Sequence, residues 1–172
     1  MRLFYALPLS DETRASLEDV MTALRRAGVR GNFTRPENLH ITLHFLGEQP
    51  PSAVEPLSDI LLDVACPAFA LTVASLGVFD RSGILWAGIR PSRALQELYA
   101  KLGTSLARAG FAVERRAYRP HLTLVREYAL PQDFALPELP PLTMTADCAV
   151  LMESSRVSGK LCYSPVSMIR LP

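Results

Sequence analysis

One short word constrains this chain more than any other part of it. Asn38-Leu39-His40-Ile41-Thr42-Leu43-His44-Phe45 returns, slightly changed, as Pro120-His121-Leu122-Thr123-Leu124-Val125. Both copies read His, apolar residue, Thr, Leu, and both have an Arg-Pro pair upstream, Arg35-Pro36 and Arg119-Pro120. Their separation, 121 − 40 = 81 residues, is close to half of the 172-residue chain. The first copy holds two of the three histidines and the second opens on the third. Leu39, Ile41, Leu43 and Phe45 alternate with His40, Thr42 and His44, and this period of two predicts a strand with an apolar face and a His/Thr face. On a helix His40 and His44 could pair on zinc, as in HExxH. On a strand they stand about 13 Å apart, so no shared metal is expected. In the second copy Leu122 and Leu124 oppose His121, Thr123 and Val125.

The flanking pattern fills in an α+β chain. Residues 2–7 read as a strand ending at Pro8. Ser10 is placed as an N-cap, with Leu17, Val20, Met21 and Leu24 at helical spacing and Gly28 as the stop, so 10–27 is predicted helical. A loop with Gly31, Asn32 and Pro36 leads into the first copy. A second helix is expected over 52–65, with Pro56 tolerated near its start. Residues 68–79 and 83–90 read as a hairpin. Ser92 opens a helix carrying Leu95, Leu98, Tyr99, Leu102 and Leu106 and ending at Gly110. A short strand near 111–114, a loop over 129–141 with four prolines, and β segments over 142–153 and 160–170 complete the order. The halves have similar content, which suggests duplication into two lobes, each with its own antiparallel sheet.

Composition removes several function classes. The chain is 49% hydrophobic and 20% charged, as globular domains are. No apolar run nears the roughly 20 residues that span a bilayer, and the apolar N-terminal stretch is too short for a signal sequence. A cytosolic protein with no membrane partner is expected. Cys66, Cys148 and Cys162 are odd in number and form no CxxC pair, so buried, inert thiols are expected. Net charge is +1, so no global field draws the protein onto long nucleic acid. Two arginine clusters, Arg25, Arg26, Arg30, Arg35 and Arg115, Arg116, Arg119, Arg126, nonetheless lead into or overlap the two copies. Neither GxxxxGK[ST] nor GxGxxG occurs, which removes support for nucleotide-triphosphate and dinucleotide folds.

Two imidazoles facing each other across a cleft, each starting near pKa 6.5, can serve as one general base and one general acid. Threonine hydroxyls beside them are neutral donors for phosphate oxygens as charge builds. The near-symmetric copies do not say which histidine takes which part. An exposed, functionless His-Thr pair is the alternative for one copy, and two matched copies weigh against it.

With these residues in place, the chain resembles the 2H phosphoesterases, named for two HxT motifs on pseudo-symmetric lobes. Among them it looks most like the bacterial and archaeal RNA 2′,3′-cyclic phosphodiesterases, also called 2′-5′ RNA ligases. The resemblance is carried by residues 2–6, 36–48, 119–126 and 151–155, followed by Tyr163. It implies one bilobal α+β domain over 1–172, with helices on the outer face of each sheet, an active-site cleft between the lobes, and no metal or organic cofactor. It implies His121 as the proton acceptor that activates water, His40 as the proton donor to the departing ribose oxygen, and Thr42 and Thr123 as holders of the phosphate oxygens. The reaction implied opens an RNA 2′,3′-cyclic phosphate to a 2′-phosphate, and the same site can join a 5′-hydroxyl to form a 2′,5′ linkage. RNA 3′ ends, or small cyclic-phosphate nucleotides, are then the partners of a monomer.

Arg126 matches the family's arginine after the second motif and would contact phosphate. Strict alternation puts it on the Leu122 face, so either the strand twists or bulges there or the arginine reaches round the edge. For His44 an edge contact to substrate and a plain surface position stand level. Tyr118, Phe45 and Trp86 are stacking candidates for a base, with the core as the alternative for each. A phosphoesterase for ADP-ribose 1″,2″-cyclic phosphate, a non-catalytic RNA-end binder and a zinc hydrolase are the competing readings.

Overall fold

Ser10 and Ser92 start two helices in the same way. Each hydroxyl accepts the backbone N–H three residues on, from Thr13 and from Leu95, both at 3.2 Å, which satisfies one of the free N–H groups of a helix start. The helices are α1 (Asp11–Arg26) and α3 (Arg93–Arg108). Both end on a glycine at positive φ, Gly28 (95°) and Gly110 (83°). The next residue then bonds back into the last turn, Val29 N–H to Leu24 O at 3.0 Å and Phe111 N–H to Leu106 O at 2.9 Å. Leu17, Met21 and Leu24 of α1 are buried, as are Leu95, Leu98, Leu102 and Leu106 of α3. Each buried leucine contributes roughly 1.5–3 kcal/mol to seating its helix.

A computed structural model describes residues 1–64 and 66–172. Besides α1 and α3 it has β1 (Arg2–Pro8), β2 (Arg30–Phe33), β3 (His40–Glu48), α2 (Val54–Leu62), β4 (Phe69–Phe79), β5 (Ile84–Ile89), β6 (His121–Ala129), β7 (Leu142–Ala146), β8 (Cys148–Val157) and β9 (Lys160–Arg170). The strands form two antiparallel sheets, ordered β3-β1-β8-β9 and β2-β6-β5-β4-β7. The fold is the α+β class expected, with two antiparallel sheets and one motif strand in each. Helix α2 packs on β8 and β9, α3 on β3 and α1 on β7. The Tyr5 hydroxyl ties β1 to α2 by donating to Leu57 O at 2.6 Å. Among the described residues no helix is long and apolar enough to cross a membrane.

The sheets do not coincide with the two halves of the sequence. In each, the motif strand lies beside the strand that leads into a capped helix: β3 beside β1, then α1; β6 beside β5, then α3. Segment 142–153 is not one strand. It breaks at Asp147, so that β7 pairs with β4 in one sheet and β8 pairs with β1 in the other. The sheet holding the first motif is thereby completed by the chain's last hairpin, which turns on Ser158 (φ 50°) and Gly159 (φ 76°).

Three further readings change. Residues 30–33, expected as loop, form β2 and pair with β6. Residues 111–114, expected as a strand, form no ladder; Phe111 and Val113 instead pack irregularly against the core. Helix α2 stops at Leu62, and Ala65, where the spacing places its end, lies outside the described residues. Cys66 and Cys148 are buried, but Cys162 is only half-buried, with Sγ 3.4 Å from Arg35 Nη2.

Candidate active site

Both motif strands start with the predicted alternation and then break it at the same place. Along β3, His40 and Thr42 face outward while Ile41 and Leu43 are buried, and along β6 His121 and Thr123 face outward while Leu122 and Leu124 are buried. A bulge follows in each. Neighbours Tyr5 and Ala6 oppose His44 and Thr42, and neighbours Leu85 and Trp86 oppose Val125 and Thr123. The extra residue puts two consecutive side chains inward, Leu43-His44 and Leu124-Val125, and reverses the phase beyond. Phe45 and Arg126, themselves 126 − 45 = 81 residues apart, therefore return to the His/Thr face.

This bulge is the alternative that brings Arg126 to the face of His121. It also corrects His44, which shares no face with His40. His44 is 3% exposed, lies outside the cleft, bonds Tyr99 O through Nε2 at 2.8 Å and stacks on the Tyr99 ring at 4.1 Å. Neither a substrate contact nor a surface position describes it. Phe45 is 50% exposed and lines the cleft, not the core. Tyr118 packs against the core, as the core alternative has it, whereas Trp86 is half-buried between the buried Leu85 and Ala87 of its strand, opposite Thr123, and fills space that a Cβ on Gly77 or Gly88 would take.

The two histidines are oriented identically. Nδ1 of His40 lies 2.7 Å from Asn38 O, and Nδ1 of His121 lies 2.7 Å from Arg119 O. A carbonyl only accepts, so each Nδ1 carries its proton and each Nε2 is the exchangeable nitrogen. His40 Nε2 lies 3.0 Å from Thr42 Oγ1, whereas His121 Nε2 has no hydrogen bond among the described residues. Aromatic rings brace both: Phe4 and Tyr163 at 4.9 and 5.1 Å from His40, and Phe79 edge-on at 5.0 Å from His121. Burial, then the positive charge of Arg126 and His121, pushes His40 down to about 4 against the pull of the Asn38 carbonyl. His121 is lowered too, first by burial, then by Arg126 and Arg116.

The histidines and threonines line one cleft of about 750 Å³ with walls from both sheets. Five cations line it as well, Arg2, Arg35, Arg126, Arg156 and Lys160, with no carboxylate among the described lining residues. Of the two sequence clusters of arginines, only Arg35 and Arg126 reach it. Arg25 stacks on the Phe33 ring at 4.2 Å, and Arg116 pairs with Glu114 at 2.6 Å. Arg156 and Lys160 escape sequence reasoning because they come from the last hairpin, whose place beside β1 is a property of topology. A second hollow of about 700 Å³, between Leu62, Cys66, Met168 and Pro172, contains none of the histidines.

Fold and site define a two-sheet α+β protein with paired His-x-Thr motifs facing one cationic cleft. The chain belongs to the 2′-5′ RNA ligase superfamily, whose model matches residues 11–157. It is 32% identical over 170 residues to the RNA 2′,3′-cyclic phosphodiesterase of Escherichia coli K12, covering 96% of this chain and 93% of that one. A protein of the same name from Geobacillus stearothermophilus is 32% identical over 130 residues, which are 73% of this chain but 41% of that protein. The chain thus matches under half of that relative's length. The crystal structure of E. coli LigT complexed with 3′-AMP superposes with a TM-score of 0.88 at 30% identity, covering 99% of this chain and 97% of that one.

Proposed function

We propose that the protein hydrolyses the 2′,3′-cyclic phosphate at an RNA 3′ end to a 2′-phosphomonoester, and that the same site forms a 2′,5′ linkage, reversibly, when a 5′-hydroxyl takes the place of water. The observation that carries this reading is the pair of histidines, each with Nδ1 pinned to a carbonyl, lining one cleft with two threonines and Arg126. His121 Nε2, free of hydrogen bonds among the described residues, takes a proton from water as its oxygen attacks phosphorus. The bond from phosphorus to the ribose 3′ oxygen breaks, and His40 Nε2–H protonates that oxygen. Thr42, Thr123 and Arg126 hold the non-bridging oxygens as negative charge grows. His40 is mostly neutral in the empty cleft, so the anionic substrate assists its own reaction by raising the pKa of the acid beside it.

Side chains supply the acid, the base and the charge stabilisation, so turnover is expected to survive EDTA. The other cations extend the cleft beyond the reacting centre along β1 and the last hairpin, which favours RNA over a small nucleotide. On this reading the whole chain, 1–172, works as one bilobal monomer on RNA ends in the cytoplasm. The test compares a 2′,3′-cyclic mononucleotide, a 2′,3′-cyclic-phosphate oligonucleotide and ADP-ribose 1″,2″-cyclic phosphate. The oligonucleotide is expected to give the highest kcat/KM. Equal values for mononucleotide and oligonucleotide, or preference for the ADP-ribose compound, would contradict RNA as the substrate.

A further inference from the structure

The two motif strands belong to different sheets, so no ladder joins them although they touch. Two hydroxyls do. Tyr118, three residues before His121, donates its hydroxyl to Thr42 O in β3 at 2.8 Å. Thr34, six residues before His40, donates its hydroxyl to Thr123 O in β6 at 2.8 Å, and its own N–H to Leu124 O, also at 2.8 Å. The accepting carbonyls are those of the two motif threonines, 123 − 42 = 81 residues apart. Each half-site is thus held at its threonine by the segment that leads into the other half-site's histidine.

We propose that Thr34 and Tyr118 are reciprocal positioning residues whose hydroxyls set the separation of the two half-sites across the reacting phosphate. The inference rests on the histidine–threonine reading of the cleft given above. Tyr118 is outside the cleft lining and its ring is locked face to face on Tyr99 at 4.0 Å, with His44 on the far side of Tyr99 at 4.1 Å. That column fixes where the hydroxyl can reach. Thr34 lines the cleft, but its hydroxyl proton is committed to Thr123 O. Acid and base must address one phosphorus from two sides in a single step. A misplacement of about 1 Å costs on the order of a hundredfold in rate.

Tyr118→Phe keeps the ring stack and Thr34→Val keeps the side-chain shape, and each deletes one hydroxyl. Thr34→Ser restores it without the methyl. On a 2′,3′-cyclic mononucleotide, Tyr118→Phe and Thr34→Val are expected to lower kcat by about tenfold or more while KM stays within about twofold. Thr34→Ser is expected to stay within about threefold of the parent. The proposal is overturned if both deletions leave kcat within about twofold, if the loss falls on KM, or if Thr34→Ser loses as much as Thr34→Val. Thermal unfolding of each variant separates a positioning effect from a fold that has come apart. Should Tyr118→Phe not fold, the Val/Ser pair at position 34 decides alone. Failure of the underlying reading looks different: His40→Ala and His121→Ala would both turn over, however the hydroxyl variants behave.

Discussion

At the residue scale the proposed chemistry rests on four side chains whose placement was legible in the sequence. His40, Thr42, His121 and Thr123 precede their bulges, where alternation still holds. His44, Phe45 and Arg126 follow them, and a period of two does not show where one residue is inserted. The environment then sets the pH behaviour. Both cleft histidines are lowered from 6.5, His40 to about 4. The base must be neutral and the acid protonated, so the alkaline limb of kcat/KM, which reports the free enzyme, is expected below about pH 6.5. The alkaline limb of kcat is expected at higher pH, because bound phosphate raises the acid's pKa. Coincident limbs above pH 7 would contradict this. Arg126 offers a second test at this scale. Arg126→Gln removes a charge from the proposed phosphate site and is expected to lower kcat/KM by about tenfold or more, since hydrogen bonds to charged groups contribute roughly 1.5–3 kcal/mol. An unchanged kcat/KM would place the guanidinium off the phosphate.

At the element scale α1 and α3 were the most legible part because they carry their own punctuation, which α2 lacks. Ser10 and Ser92 cap, glycines stop, and the apolar spacing decides which side is buried. Ser10→Ala and Ser92→Ala are each expected to cost about 1 kcal/mol in denaturant unfolding and to leave turnover unchanged. A loss of kcat without a loss of stability would mean that the helices do more than support the sheets. The unpredicted elements lack such local signals. Strand β2, Arg-Gly-Asn-Phe, has almost no β propensity and exists because β6 offers it an edge. The break at Asp147 interrupts a continuous β pattern, and tertiary pairing alone sends its two sides to different sheets. Phe111 and Val113 have the right period, but their segment joins no ladder.

At the scale of the whole molecule, the repeat showed that two like units exist but not how they interleave. Each sheet carries one motif, yet the sheet with the first motif is completed by the C-terminal hairpin. That exchange brings Arg156 and Lys160 to the cleft of His40. Whole-molecule stability should also record the histidines. All three are held below 6.5, so near that pH the unfolded chain takes up protons that the folded chain refuses. Their contribution is complete above about pH 6.5 and is lost as pH falls through their lowered values, about 4 for His40. Denaturant unfolding is therefore expected to weaken progressively from about pH 6.5 to 5.5, before most carboxylates titrate; a flat curve there would contradict the burial of the imidazoles. The central claim, two histidines acting as acid and base on one cyclic phosphate, is tested most directly by product analysis. A 2′,3′-cyclic-phosphate oligonucleotide is incubated with the parent, His40→Ala and His121→Ala proteins, and 2′- and 3′-phosphate ends are resolved. The account predicts a 2′-phosphate from the parent and a loss of about a hundredfold or more in each variant. A 3′-phosphate product, or undiminished turnover in both variants, would contradict it.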